Sequence, residues 1–386
     1  MTPDSVRVLV TSGEYVGVLA AVRALRAAGY EPWVAVSRRG VHAARSRAAE
    51  GVVRVPEPGE QPDDFVAALA AAAERLSIAA VLPGNEQALI ALADRPEAFS
   101  PGTALGICPP ETVALATDKR MLQSLAAEAG LDAPPTIEVT RSASEESDAE
   151  IEYPAVVKPL RSELRMHDGT LRHLTVRRVG NPDELRLALD ALPERSGLVQ
   201  RYLHGPLGAT AGVFWHGEMI CTTSMRAERI WPPGCGTIAY AVSIPADPDF
   251  ERAIARLLAS IGWDGVFQLD WVEVDSRRYV IDLNPRIYTS LALAVSAGAN
   301  LPAIWVDLLL GRTTSVAAGR VGVRYRHELD DPRALLSAFL DGDRKEAIRG
   351  LRPRRGTVHA IYSWRDPLPS LASFSKLRER VTGGQP

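Results

Sequence analysis

The sequence predicts a mixed α/β and α+β protein, with a parallel, doubly wound N-terminal domain followed by a two-lobed body. Three observations carry this reading. Short apolar strands alternate with helices over the first 82 residues. A β-branched strand, Tyr153-Pro154-Ala155-Val156-Val157-Lys158-Pro159, ends in an isolated lysine. Two apolar runs, Val266–Val274 and Tyr279–Leu283, flank the polar turn Asp275-Ser276-Arg277-Arg278 and read as a hairpin. A chain of 386 residues has room for two or three such units with a sizeable core.

Composition narrows the class. With 46 % apolar and 24 % charged residues, a soluble globular protein is expected. A formal charge of −3 argues against nucleic acid as the main partner. Cys108, Cys221 and Cys235 are too few and too scattered for a disulfide framework or a zinc site. The opening MTPDSVRVLVT lacks a basic region followed by an apolar core, and no uncharged apolar run reaches transmembrane length. No membrane partner and a cytoplasmic location are therefore expected. Lysine occurs only at 119, 158, 345 and 376, among 44 basic residues. In so arginine-rich a chain, a lysine points to a need for a compact ammonium, as in phosphate binding.

Residues 6–11 read as a strand, Val16–Ala28 as a helix ended by Gly29, and Pro32–Val36 as the next strand. Val52–Val55, the helix Pro62–Leu76 and the strand Ala79–Leu82 continue the alternation. The first turn holds Gly13 and Gly17 without a complete G-x-G-x-x-G. It reads as a tight strand-to-helix turn, as a weak dinucleotide signal, or as a helix N-terminus that holds the anionic end of a substrate. Leu82-Pro83-Gly84-Asn85-Glu86 either caps a helix or lends polar groups to the same crevice. Cys108-Pro109-Pro110 closes this domain.

The pair Asp118-Lys119 opens the helix Lys119–Ala129, with Thr117 or Asp118 as its cap. Arg141–Glu150 reads as a solvated loop. A lysine on a buried strand, as Lys158 is placed, is costly unless it meets an anion. Leu171–Arg177 is a strand, Pro182–Leu192 a helix, and Gly197–Leu203 a strand. Ala209–Trp215 and Glu218–Ser224 are strands joined at His216-Gly217. Arg226 and Arg229 precede the Pro/Gly-rich stretch Trp231–Gly236; this reads as an anion site or as a solvent loop. Phe250–Ser260 is a helix leading into the hairpin.

Asp270 and Asp282 lie twelve residues apart on the two arms of that hairpin, so folding can bring their carboxylates together. Asn284 and Arg286 follow Asp282 at steps of two, which in an extended strand points all three the same way. Two carboxylates, an amide oxygen and a guanidinium suit Mg²⁺, which takes oxygen ligands and bridges to phosphates, and an arginine suits the charge of a phosphoryl group or carboxylate. An exposed hairpin with ordinary surface acids is the bland alternative. Leu291–Ala297 and Pro302–Leu310 are helices behind the hairpin; Arg320–His327 is a strand, Asp331–Leu340 a helix, and Ser375–Val381 a short last helix. Arg352, Arg354 and Arg355 read as a solvated basic cluster.

The spacing of Asp118-Lys119, Lys158-Pro159, Gln200–Leu203, Asp270 and Asp282-x-Asn284-x-Arg286 resembles the ATP-grasp superfamily over roughly Ala116–Arg286. The resemblance implies a Rossmann-like N-terminal domain (1–112), a small lobe with its linker helix (113–205), a C-terminal lobe with the metal site (206–312) and a C-terminal extension packed on the catalytic core (313–386). It implies that Lys119, Lys158 and Ser162 hold the ATP phosphates and that Gln200, Arg201, Tyr202 and Leu203 form the adenine hinge. It also implies that Asp270, Asp282 and Asn284 bind Mg²⁺ or Mn²⁺, and that Arg286 acts catalytically, with Arg226 and Arg229 on the substrate. Two departures stand out. Arg201 replaces the hinge glutamate frequent in the superfamily, and the segment after Lys158, Leu160–Gly169, has one glycine in place of a glycine-rich lid. The implied activity is ligation of a small carboxylate to an amine through an acyl phosphate; apart from the resemblance, a homodimer is the general expectation. A phosphotransferase, a bicarbonate-using carboxylase or carbamoyl-phosphate-type enzyme, and a nucleotide-binding regulator are the alternatives.

Overall fold

A computed structural model describes residues 6–143, 151–314, 316 and 319–371. The chain opens with β1 (Arg7–Val10), α1 (Val16–Ala27), β2 (Glu31–Val36), β3 (Gly51–Arg54), α2 (Pro62–Leu76), β4 (Ala80–Leu82), α3 (Glu86–Asp94) and β5 (Ala104–Leu105). The five strands form a parallel sheet in the order β3-β2-β1-β4-β5, the doubly wound arrangement of Rossmann-like domains. Leu9, Val34, Val36 and Val81 are fully buried between the helical layers, as expected for strands covered on both faces. The glycines of the first turn are explained by packing. A Cβ on Gly13 would lie 2.6 Å from the side chains of Val34 and Val36, and one on Gly17 would collide with the Tyr288 carbonyl.

Two helices follow, α4 (Pro110–Thr117) and α5 (Lys119–Glu128). The first is an element that sequence reading leaves unassigned. Asp118 separates them and caps α5, its carboxylate accepting from the Arg120 amide at 3.0 Å. A small antiparallel sheet comes next: β6 (Thr136–Thr140), β7 (Ala155–Lys158), β10 (Arg177–Val179) and β11 (Ser196–Arg201), in the order β10-β7-β11-β6 and covered by α6 (Pro182–Asp190). Between β7 and β10 the chain forms a separate hairpin of β8 (Glu163–Arg165) and β9 (Leu171–His173). The single strand expected over Leu171–Arg177 is thus two strands in two sheets.

The largest sheet has seven strands. In chain order they are β12 (Leu207–Trp215), β13 (Glu218–Trp231), β14 (Thr237–Ile244), β15 (Gly265–Val274), β16 (Arg277–Asn284), β17 (Arg324–Arg326) and β18 (Val358–His359). The spatial order is β16-β15-β12-β13-β14-β17-β18. Helix α7 (Pro248–Ser260) covers one face through Ile254, Leu257 and Leu258; α8 (Leu291–Ala297) and α9 (Leu301–Leu309) cover the other and join it to α1. Helices α10 (Asp331–Leu340) and α11 (Arg344–Gly350) lie between β17 and β18.

Two expectations change here. β13 runs on to Trp231, and β14 is an unexpected strand, so Arg226 and Arg229 lie in a strand rather than in a loop. The strand expected over Arg320–His327 shrinks to Arg324–Arg326. The helix expected at Ser375–Val381 lies outside the described residues, as does most of the loop expected at Arg141–Glu150. Among the described residues no single helix is long and apolar enough to cross a membrane; the bent pair α8–α9 is apolar because it is core.

Candidate active site

The hairpin of β15 and β16 turns at Asp275-Ser276, both at positive φ (48° and 64°), as a two-residue turn needs. That turn alone would set Asp270 opposite Ile281. A bulge beyond Trp271 shifts the register, so Asp270 faces Asp282 and Gln268 faces Asn284. All four share the sheet face that carries Ala209 and Met225 into the core. Ile281, the residue the bulge leaves over, presents its carbonyl to Lys158 Nζ at 2.6 Å.

Both lysines converge on this hairpin. Lys119, the first residue of α5, makes an ion pair with Asp282 and is nearly buried. Lys158, at the end of β7, is only 6 % exposed. Burial pushes the Lys158 ammonium down to about 8, against the pull of the Asp282 carboxylate. Burial works to raise the Asp282 carboxyl, but Lys119 and Lys158 hold it below the usual carboxylate range. Asp270 has no such partner in contact. Among the described residues its oxygens accept only amide N–H groups, from Gln268 at 2.6 Å and Asn284 at 3.0 Å. Burial, then the Asp282 charge, pushes it up to about 7. A buried carboxylate beside another, with neutral partners only, is a place for a cation. The donor set is all oxygen, as Mg²⁺ requires. Asn284 Oδ1 accepts from Arg286 Nη2 at 3.0 Å while its Nδ2 donates to Asp270, so the amide bridges the aspartate and the arginine. No cluster of three His, Cys, Asp or Glu occurs among the described residues, which leaves this two-carboxylate site as the candidate.

Arg286 lies at the seam between the large sheet and the N-terminal domain. Its Nη1 donates to the Tyr15 hydroxyl and the Ile287 carbonyl, both at 3.0 Å, while Nε is buried without a hydrogen-bond partner. Tyr15 is itself held by Thr289 Oγ1 at 2.8 Å.

Arg226 and Arg229 do not join this group, contrary to expectation. Arg226 is exposed and follows Met225, so strand alternation puts it on the sheet face opposite Asp270. Arg229 donates to the fully buried Asp331 at 2.5 Å, which Arg326 also meets at 2.7 Å, and it covers the Tyr240 ring. It is a structural ion pair.

Between α5, the small sheet and β16 lies a cavity of about 160 Å³, lined among others by Lys119, Thr136, Lys158, Gln200 and Ile281. Gln200 is buried and donates to Thr136 Oγ1 at 3.0 Å. The amides of Arg201 and Tyr202 go to Pro135 and Pro154 carbonyls, whereas that of Leu203 meets no acceptor among the described residues. The Arg201 side chain turns outward to Glu152 at 3.0 Å, and Arg178 stacks on the Tyr202 ring. Ser162 precedes the β8–β9 hairpin, its carbonyl accepting from Leu174. Arg161 and Arg165, in the segment after Lys158, are bound to Asp118 and Asp94.

Two site residues escape the sequence reading of roles. Glu86, at the N-terminus of α3, stands 3.9 Å from Arg286 Nε. Glu163, on the β8–β9 hairpin, bonds Gln87 Nε2 at 3.0 Å and His173 Nδ1 at 2.7 Å. The sequence singles out Glu86 only as part of its turn, and nothing in it marks Glu163.

The fold is the ATP-grasp fold preceded by a Rossmann-like domain. No protein-family model matches the sequence, and no curated protein matches it. Solved structures do. An N5-carboxyaminoimidazole ribonucleotide synthetase from Thermus thermophilus is 19 % identical, with 82 % of this chain and 81 % of that one covered at a TM-score of 0.61. An L-amino acid ligase from Bacillus licheniformis is 17 % identical, with 80 % and 75 % covered at 0.60. A biotin carboxylase from Campylobacter jejuni, in complex with β,γ-ATP, is 14 % identical, with 82 % and 74 % covered at 0.63.

Proposed function

We propose that the chain is an ATP-dependent ligase that activates a small carboxylate as an acyl phosphate and joins it to an amine, releasing ADP and phosphate. One observation carries the reading: Asp270 and Asp282 face each other across the hairpin, with Lys119, Lys158 and Arg286 gathered around them. The L-amino acid ligase and the synthetases that share the fold support it.

In this reading Lys119 and Lys158 hold the nucleotide phosphates and the end of β11 takes the adenine through backbone groups, the Leu203 amide among them. Asp270, Asp282 and Asn284 hold Mg²⁺, or Mn²⁺ in its place, which when bound neutralises charge on the phosphates. Arg286 steadies the charge on the carboxylate oxygen as the amine adds and phosphate leaves. No side chain serves as nucleophile. The complexes of solved relatives with ADP and with MgADP support the nucleotide and the metal. A cytoplasmic homodimer fits this chemistry; a biotin carboxylase dimer with bicarbonate is among the solved relatives, so bicarbonate belongs in the acid panel.

The test is phosphate release from Mg·ATP with pooled carboxylates and amines, wild type beside Asp282→Ala. Release that requires both substrates and vanishes in the variant is expected. ATP that binds but is never cleaved across the panel would overturn the reading in favour of a nucleotide-binding regulator. A stable phosphorylated acid as end product would favour a phosphotransferase.

A further inference from the structure

The chemistry above leaves two buried carboxylates without a role. Glu86 and Glu163 are each only 7 % exposed, and they come from different parts of the chain, α3 and the β8–β9 hairpin. Glu163 is fixed by Gln87 and His173. Glu86 accepts no side-chain hydrogen bond from any described residue, and its nearest cation is Arg286 Nε at 3.9 Å. That Nε is itself buried and without a hydrogen-bond partner. A buried carboxylate and a buried guanidinium N–H thus face each other in one crevice, ion-paired at 3.9 Å but too far apart to hydrogen-bond, and such groups are costly unless a ligand completes them.

The missing partner can be specified from what each group lacks. Glu86 needs a donor, and the Glu163 carboxylate, tied to the adjoining residue Gln87 at 3.0 Å, favours a positively charged one. Arg286 Nε needs an acceptor, such as an oxygen of the acid being activated. An ammonium next to a carboxyl oxygen meets both needs, and once it gives up a proton the resulting amine stands beside the acyl carbon that it must attack. Burial, followed by the Glu163 charge among the raising influences, keeps the Glu86 carboxyl above its ordinary value, against Arg286 and Lys119; a bound cation would relieve that.

Accordingly, and resting on the ligase reading, we propose that Glu86 and Glu163 form the subsite for the positively charged amino group of the acceptor, so that the protein takes cationic amines over neutral or anionic acceptors. The hairpin supplies half of this subsite. It is tied to the N-terminal domain by Gln87, by the Leu171 amide donating to the Gly59 carbonyl at 2.6 Å, and by the Arg165–Asp94 pair. The segment that replaces a glycine-rich lid therefore contributes a carboxylate to acceptor recognition.

The experiment uses the full chain with Mg²⁺ and a non-hydrolysable ATP analogue. L-alaninamide, a cation without a carboxylate, and its uncharged counterpart N-acetyl-L-alaninamide are titrated calorimetrically. Wild type is expected to bind the cation about tenfold more tightly than the neutral amide, the scale of one charged hydrogen bond. Glu86→Gln and Glu163→Gln should each erase most of that preference without lowering the unfolding temperature. Equal binding of the two probes by wild type, no binding of the cation, or an unchanged preference in Glu86→Gln overturns the subsite. Trapping of acyl phosphate as hydroxamate by wild type tests the ligase reading separately. Hydroxamate without Glu86-dependent discrimination sinks the subsite alone; Glu86-dependent discrimination without hydroxamate from any acid keeps the subsite and sinks the ligase.

Discussion

At the scale of single residues, the two aspartates of the hairpin have opposite surroundings and so make opposite predictions. Asp282 neutralises Lys119, so Asp282→Ala leaves that buried ammonium unpaired and should destabilise the fold as well as stop turnover. Asp270 is held by amides beside a like charge. Asp270→Asn should therefore leave the metal-free protein as stable or more so, while abolishing the further rise in unfolding temperature that Mg²⁺ gives wild type in the presence of a non-hydrolysable ATP analogue. A wild-type Mg²⁺ effect that survives in Asp270→Asn would remove Asp270 from the metal site. Gly17→Ala tests packing rather than chemistry: its Cβ meets the Tyr288 carbonyl, so a loss of about 1–3 kcal/mol in a denaturant titration is expected. Several of these residues are legible in sequence because they recur at fixed steps along one chain segment. Glu163 is not, because its partners are Gln87, 76 positions away, and His173, reached only by a hairpin the sequence does not announce.

At the scale of elements, the long helices and the alternating strands of the N-terminal domain are readable from periodicity, and α2 and α10 lie where they are expected. Strand β13 is not. Its second half, Arg226-Ala227-Glu228-Arg229-Ile230-Trp231, interrupts the two-residue alternation with two register shifts and so reads as a loop. The same irregularity makes Arg229 look like part of an anion site, although its guanidinium is held by Asp331. Asp331→Ala leaves Arg229 and Arg326 without their shared carboxylate and should cost about 3–5 kcal/mol by chemical denaturation. A change below about 1 kcal/mol would show that the triad is not a structural pin. The bulge in the β15–β16 hairpin is equally hidden: the twelve-residue spacing suggests that the acids meet, but the register shift is what makes them do so.

At the scale of the whole molecule, the last described stretch is fastened to the first domain. Asp366 accepts from Ser46 Oγ at 2.5 Å, from the Arg47 amide at 2.9 Å and from Arg23 Nε at 2.9 Å, joining residues more than 300 positions apart. Burial works to raise this carboxyl, yet those three donors hold it below the usual carboxylate range. A depressed folded value means that the stabilisation is present above the ordinary carboxylate pKa and is lost as pH falls through the folded one. Asp366→Asn should thus lower the unfolding temperature at pH 7, and the gap to wild type should close as acid is added below about pH 4. No rule of local sequence finds such a fastening, since it exists only once the fold is closed. The ion pair of Lys119 with Asp282 has a last consequence at this scale. Helix α5 lends the hairpin an internal cation, a placeholder supplied by the chain itself. In the proposed ligase, loading is then an exchange of partners, in which the carboxylate would trade an ammonium for a metal and the ammonium a carboxylate for a phosphate. Each arrival frees the partner that the other needs, so metal and nucleotide should bind poorly one at a time and well together.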